Sequence, residues 1–185
     1  MARTESNMLA LGTPAPVFEL PDTNTGKMIN LQQLKADVAT VIMFICNHCP
    51  FVIHIKDELS QLAIDYQNQG INFVAISAND AVNFPQDNPA NMALFAAQNN
   101  FSFPYLYDET QSVAKAYQAA CTPDFYIFDQ NLLCVYRGQL DGSRPGNDVP
   151  VTGADLRAAL DALLTGQPVS EQQAPSLGCN IKWKG

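Results

Sequence analysis

The run Val38-Ala-Thr-Val-Ile-Met-Phe-Ile45 ends directly at Cys46-Asn47-His48-Cys49-Pro50, and this junction limits the possible folds more than any other segment. A nearly continuous apolar stretch rich in β-branched residues reads as a central strand covered on both faces. After Pro50 the period changes. Val52, Ile55, Leu59, Leu62 and Tyr66 recur at three- and four-residue spacing, with Gly70 as a stop signal, which predicts a helix of about five turns. In an α/β sheet the carboxyl end of such a strand is the usual reactive edge, and Cys46 lies there.

The remaining chain repeats this alternation. Ile71 to Ser77 reads as a second buried strand, and Asn79 to Asn88 as a polar loop holding Pro85. Asn88 is placed to cap a helix that starts at Pro89 and buries Met92, Phe95 and Ala96. Phe103 to Tyr107 reads as a short strand and Glu109 to Ala119 as helical. Phe125 to Phe128 and Leu132 to Arg137 flank Asp129-Gln130-Asn131 as an antiparallel hairpin. A final helix opens at Thr152-Gly153-Ala154-Asp155, with Leu156, Leu160, Leu163 and Leu164 inward, and closes at Gly166 and Pro168. At the front, Val17 to Leu20 and Met28 to Leu31 around Asn24-Thr25-Gly26-Lys27 form an N-terminal hairpin. The expectation is an α/β protein with a mixed central β-sheet, helices on both faces and an N-terminal β-hairpin extension. It is read as a single domain, 1–185, with an extended arm at 1–16 and an unpatterned tail at 169–185.

Composition narrows the partners. Ten Lys and Arg against eighteen Asp and Glu give a formal charge of -8, so no basic face argues for nucleic acid or anionic membrane. No apolar run approaches a membrane span, and Met1 to Ala10 lacks a hydrophobic signal core, so a cytoplasmic protein is expected. The oligomeric state is not readable.

Five cysteines are too few and too scattered for a disulfide framework, but Cys46 and Cys49 stand three apart at the strand-to-helix junction. Unpaired N–H groups and the helix dipole favour a thiolate there, and the reading assigns it to Cys46. A second thiol one turn further in can close a disulfide with it. Cys46 then attacks a substrate disulfide and Cys49 resolves the mixed disulfide. Asn47, His48 and Pro50 tune that environment. A lone C-x-x-C offers only two metal ligands, so neither a metal nor a cofactor is expected. The partners are a protein or small-molecule disulfide and a thiol reductant.

Several stretches carry a family resemblance: Phe44-Ile-Cys-Asn-His-Cys-Pro-Phe-Val52, Ser77-Ala-Asn-Asp80, Phe103-Pro-Tyr-Leu-Tyr-Asp-Glu-Thr110, Ala120-Cys-Thr-Pro-Asp-Phe125 and Ser176-Leu-Gly-Cys-Asn-Ile-Lys-Trp-Lys184. In these the chain resembles the thioredoxin superfamily, and within it the peroxiredoxin-like branch of the alkyl hydroperoxide reductase and thiol-specific antioxidant (AhpC/TSA) group. The resemblance implies a thioredoxin fold, a cis bond at Thr122-Pro123 facing the cysteines, and substrate-backbone pairing at that loop. It also implies roles in antioxidant defence and cell redox homeostasis. The chain departs from the pattern at several places. Ile45 and Thr40 stand where thioredoxins carry Trp and an acidic residue. No Thr lies three residues before either cysteine, since Met43 and Cys46 occupy those positions. The arginine that peroxiredoxins place before a strand like Phe125 to Asp129 is replaced near Pro123.

The leading function is therefore thiol-disulfide exchange through Cys46 and Cys49. The alternatives are a thiol peroxidase that oxidises Cys46 to sulfenic acid and a copper-binding chaperone with paired soft thiolates. The last lacks a distant histidine, because His48 and His54 both flank the motif. Cys121 and Cys179 are candidate auxiliary thiols, whereas Cys134 belongs to the core. His54 reads as a solvated or capping side chain, Trp183 as packed on a groove, and Asn79 and Asp80 as bordering the site.

Overall fold

The computed structural model describes residues 3–185; the first two residues of the expected arm lie outside it. Fifteen strands and helices follow in order: β1 (Arg3–Glu5), β2 (Glu19–Pro21), β3 (Met28–Asn30), α1 (Leu31–Leu34), β4 (Ala39–Phe44), α2 (Pro50–Tyr66), β5 (Ile71–Ser77), α3 (Pro89–Gln98), β6 (Tyr105–Tyr107), α4 (Ser112–Ala116), β7 (Cys121–Thr122), β8 (Asp124–Asp129), β9 (Cys134–Gly138), α5 (Ala154–Leu164) and β10 (Leu177–Asn180).

The central sheet has the order β6-β5-β4-β8-β9. Strands β4, β5 and β6 run parallel, while β8 is antiparallel to β4 and β9 antiparallel to β8. This is the mixed thioredoxin-type sheet, and every residue of β4 is buried. Side-chain alternation along a strand explains why both faces are covered. Val41 and Met43 enter one core with Val52, Ile55, Leu59 and Leu62 of α2, Met92 of α3, and Leu156 and Leu160 of α5. Ile42 and Phe44 enter the other with Leu31 and Leu34 of α1, Val113 of α4, and Tyr117, Tyr126 and Phe128. Full burial of one such side chain is worth about 1.5–3 kcal/mol, so β4 anchors both layers and holds its carboxyl end still.

The expected N-terminal hairpin is present as β2 and β3. Two expectations need correction. Helix α4 covers only Ser112–Ala116, a shorter span than Glu109 to Ala119, because Gln111 before it and Gln118 after it adopt positive φ and break the helix at both ends. The tail is not without structure. Its strand β10 lies between β1 and β7 in a second sheet of order β1-β10-β7, with Cys179 opposite both Arg3 and Thr122. Gly178 is required there, since a Cβ would stand 2.0 Å from the Thr122 carbonyl oxygen. Among the described residues no helix is long and apolar enough to cross a membrane.

Candidate active site

Strand β4 ends at Phe44 and α2 begins at Pro50, so Cys46 lies in the connecting loop and Cys49 is the N-cap residue of α2. No side chain caps this helix, and its Val52 N–H bonds the Cys49 carbonyl oxygen at 3.0 Å. Exposed Pro50 occupies the first helical position, where its missing N–H costs nothing. Both cysteines are free thiols, and both are covered, at 1% exposure for Cys46 and 0% for Cys49.

The cover comes from β7. The Thr122-Pro123 bond is cis, in agreement with the resemblance. The Cys49 thiol donates to the Thr122 carbonyl oxygen at 3.1 Å, and Cys46 Sγ lies 3.3 Å from Thr122 Oγ1. One residue therefore contacts both sulfurs. Ser176 Oγ donates to the Pro123 carbonyl at 2.6 Å and ties this loop to the tail. Beside Pro123 runs a cleft bordered by Phe51, Ile55, Leu140 and Arg144.

The charge distribution follows from the contact between the two sulfurs. Hydrogen bonding from the Cys46 thiol draws Cys49 down to about 5 against the effect of burial, with further donors in the Cys179 thiol and the N–H groups of Val52 and Cys179. Cys46 is held well above the ordinary thiol value because it donates to Cys49, is buried and lies near the Asp87 carboxylate. The two sulfurs thus share one proton as a pair, and Cys49 donates to Thr122 only while it is protonated. As the N-cap residue, Cys49 also lies by the Val52 N–H of α2.

Asp87 organises the loop between the cysteines. Fully buried, it accepts from the Asn47 N–H at 2.8 Å, from His48 Nδ1 at 2.6 Å and from Asn79 Nδ2 at 2.8 Å. Asn47 is further fixed by donating to the Gln86 carbonyl at 2.8 Å and accepting from Tyr105 OH at 3.1 Å. The His48 ring stacks on Phe84, with 5.7 Å between ring centroids. The reading of the sequence missed Asp87, but it did find the neighbouring signal. Asn88 caps α3 by accepting from Asn91 N–H at 2.9 Å with Pro89 in the first turn, and that cap fixes the residue before it. Thr40, at the position where thioredoxins carry an acid, only donates to the Leu34 carbonyl; the carboxylate near the thiols comes from the loop after β5 instead.

Asn79 does border the site. It bonds Asp87 and also accepts from the Lys182 N–H at 2.8 Å, so the tail and the active loop share one network. Asp80 is buried beside it, bonding Asn83. His54 is neither solvated nor a cap, because its Nε2 donates to Ser143 Oγ at 2.7 Å and holds the loop after β9 against α2. Trp183 is not seated in a groove; it is 40% exposed with Lys115 Nζ 5.6 Å above its ring. Cys179 enters the site, whereas Cys121 turns its thiol toward the Pro123 carbonyl at 3.7 Å and Cys134 sits in the opposite core. Cys46, His48 and Asp87 each offer one ligand atom within 4.8 Å of the others. Within that trio the hydrogen bond runs from His48 to Asp87, while the Cys46 sulfur contacts Thr122.

The arrangement is thus a dithiol sharing a proton, held by a buried carboxylate and facing a cis-proline loop. No curated protein matches the chain. Among solved structures, an uncharacterized conserved protein from Geobacillus kaustophilus is 61% identical over 100% of this chain and 97% of its own, with a TM-score of 0.98. A hypothetical protein from Sinorhizobium meliloti 1021 is 49% identical over 98% of this chain and 99% of its own, with a TM-score of 0.96. A secreted disulfide oxidoreductase from Mycobacterium tuberculosis shares the fold, at 19% identity over 78% of this chain and 95% of its own, with a TM-score of 0.60. Residues 11–137 match the AhpC/TSA family. That match takes in the strand, the C-x-x-C loop and the cis-proline loop together, and the chain belongs to the AhpC/TSA family.

Proposed function

We propose that this protein is a thiol-disulfide oxidoreductase in which Cys46 and Cys49 exchange electrons with a protein or small-molecule disulfide. The observation that carries the proposal is the shared contact of both sulfurs with Thr122, at 3.1 and 3.3 Å, beside cis Pro123. A substrate disulfide that replaces Thr122 over the pair meets both thiols at once.

The chemistry follows from the shared proton. Cys46 passes its proton to the Cys49 thiolate, and the Cys46 thiolate attacks one substrate sulfur. The other substrate sulfur leaves as a thiolate and takes up the proton from Cys49. Cys49 then attacks Cys46 Sγ, the Cys46–Cys49 bond forms, and the second substrate sulfur leaves with the electron pair of the broken bond. Two electrons pass from the pair to the substrate, and an external thiol reductant restores the dithiol. Asp87 holds the Asn47-His48 loop so that Cys46 stays aligned through both attacks.

Family membership favours a second reading, thiol peroxidase, in which peroxide converts Cys46 to sulfenic acid and Cys49 resolves it with loss of water. Stopped-flow oxidation of the reduced protein by hydrogen peroxide and by a disulfide, with wild type, Cys46→Ser and Cys49→Ser, separates the two. Faster reaction with disulfide, lost in Cys46→Ser and arrested as a mixed disulfide in Cys49→Ser, supports exchange. A dominant peroxide rate overturns it.

A further inference from the structure

The catalytic cycle above uses two thiols, yet three occupy the site. Cys179 lies in β10 directly opposite Thr122, the residue that touches both Cys46 and Cys49. It shares their buried cluster and is only 4% exposed. Its thiol and backbone N–H lie near enough to the Cys49 sulfur to shift the charge there. The absence of a side chain at Gly178 lets β10 pack directly against the Thr122 carbonyl. Cys49 is therefore flanked by a possible disulfide partner on each side.

We propose that Cys179 is a third redox cysteine, and that the Cys46–Cys49 disulfide isomerises to a Cys49–Cys179 disulfide that frees Cys46. This rests on the exchange chemistry proposed above. The step is internally balanced. Cys179 Sγ attacks Cys49 Sγ, the Cys49–Cys179 bond forms and the Cys46–Cys49 bond breaks. Cys46 departs with the electron pair and takes up the proton that Cys179 releases. The oxidation level is unchanged and no external oxidant is needed.

The neighbouring charges act on Cys179 differently before and after the first disulfide forms. In the reduced protein burial and the hydrogen bond to Cys49 push the Cys179 thiol up to about 12, with the charge on Cys49 adding to this and Lys182 opposing it. Closing the Cys46–Cys49 bond removes the Cys49 charge and leaves the cation. Cys179 becomes a better nucleophile when its target is ready and stays inert otherwise. The freed Cys46 is again an entry thiol while the oxidising equivalent is held in the interior.

The test is disulfide mapping. Wild type, Cys46→Ser and Cys179→Ser are oxidised with diamide, alkylated with iodoacetamide in denaturant, digested and analysed by mass spectrometry, with Cys134→Ser as a control for scrambling. Cys46→Ser is expected to yield the Cys49–Cys179 peptide in most molecules. Wild type is expected to yield both disulfides and Cys179→Ser only Cys46–Cys49. Cys46→Ser that keeps the wild-type thermal transition but leaves Cys49 and Cys179 alkylated overturns the proposal, while wild type still forming Cys46–Cys49 leaves the exchange reading intact. If wild type forms no Cys46–Cys49 bond, the exchange reading and this inference fall together. A Cys49–Cys179 bond found only after denaturation before oxidation also overturns it.

Discussion

The two sides of the central sheet hold the same kinds of group, and only one side surrounds them with donors. Toward α2 lie Cys46, Cys49 and Cys179 with the buried carboxylate of Asp87; the opposite core holds Cys134, and Cys121 stands in β7 near the buried Asp124. Burial does not separate the two sets, because all five thiols are buried. Donors do. Cys49 is surrounded by thiols and N–H groups and is drawn down to about 5, whereas burial pushes Cys134 up to about 11 and Cys121 higher still. The carboxylates divide in the same way. Asp87 accepts three hydrogen bonds. Asp124 accepts from Tyr126 OH at 2.9 Å, and its Oδ1 has no partner among the described residues. Local donors, and not burial, separate the two sets of thiols.

The comparison breaks most sharply at the thiols. Cys46→Ser is expected to abolish turnover in an insulin-reduction assay, whereas Cys134→Ser keeps it within about twofold, since surroundings without donors leave a thiol inert. Equal losses in the two variants would erase the distinction.

Asp87→Ala comes next. It leaves the Asn47, His48 and Asn79 donors without their acceptor, and each unsatisfied buried group costs about 1–3 kcal/mol. Denaturant unfolding is expected to show a loss of about 3 kcal/mol, and exchange is expected to slow by about 10- to 100-fold as the loop loses alignment. Asp87→Asn, which keeps the shape and one acceptor, is expected to recover most of the stability and less of the rate.

Asp124 gives a smaller, pH-dependent effect. Burial raises its folded-state pKa to about 8, above the ordinary carboxylate value of about 4, so between these values the folded state binds more protons than the unfolded chain. Stability must then fall as pH rises from about 4 to about 8, with a slope of up to about 1.4 kcal/mol per pH unit. Asp124→Asn is expected to flatten that slope in denaturant unfolding between pH 5 and 9 and to leave exchange activity untouched. An unchanged slope would show that Asp124 stays ionised in the fold.

The smallest effect is at Thr122. Thr122→Val removes the hydroxyl 3.3 Å from Cys46 and keeps the carbonyl that receives Cys49. A hydrogen bond worth about 1 kcal/mol predicts a change of about fivefold in the alkylation rate of Cys46, and no change at Cys134.

What could be read from the sequence followed the range of the interactions. The β4–loop–α2 unit was legible because its pattern is local: an apolar run, then Val52, Ile55, Leu59 and Leu62 in helical period, with Gly70 at φ +77 ending the unit. The α3 cap at Asn88-Pro89 was legible for the same reason. Strands β1 and β10 were not, since Arg3–Glu5 and Leu177–Asn180 are short and carry no clean alternation; pairing across the whole chain makes them strands. Asp87 escaped because its partners at Asn47 and His48 are distant in sequence. The helix boundary falls after Cys49, and a shift of a few residues decides which sulfur stands at the N-cap.

The strand that carries Cys179 is also the last part of this site that a ribosome makes. Until β10 emerges, a nascent chain holds Cys46 and Cys49 without the N–H and thiol of Cys179, without Gly178 against Thr122, and without the Lys182 link to Asn79. A protease cut between α5 and β10 would return a finished molecule to that condition. Thr122 would keep its place in the chain but lose the strand paired with it and the Ser176 bond to Pro123, so β10 braces the cover over the dithiol as well as shaping the site.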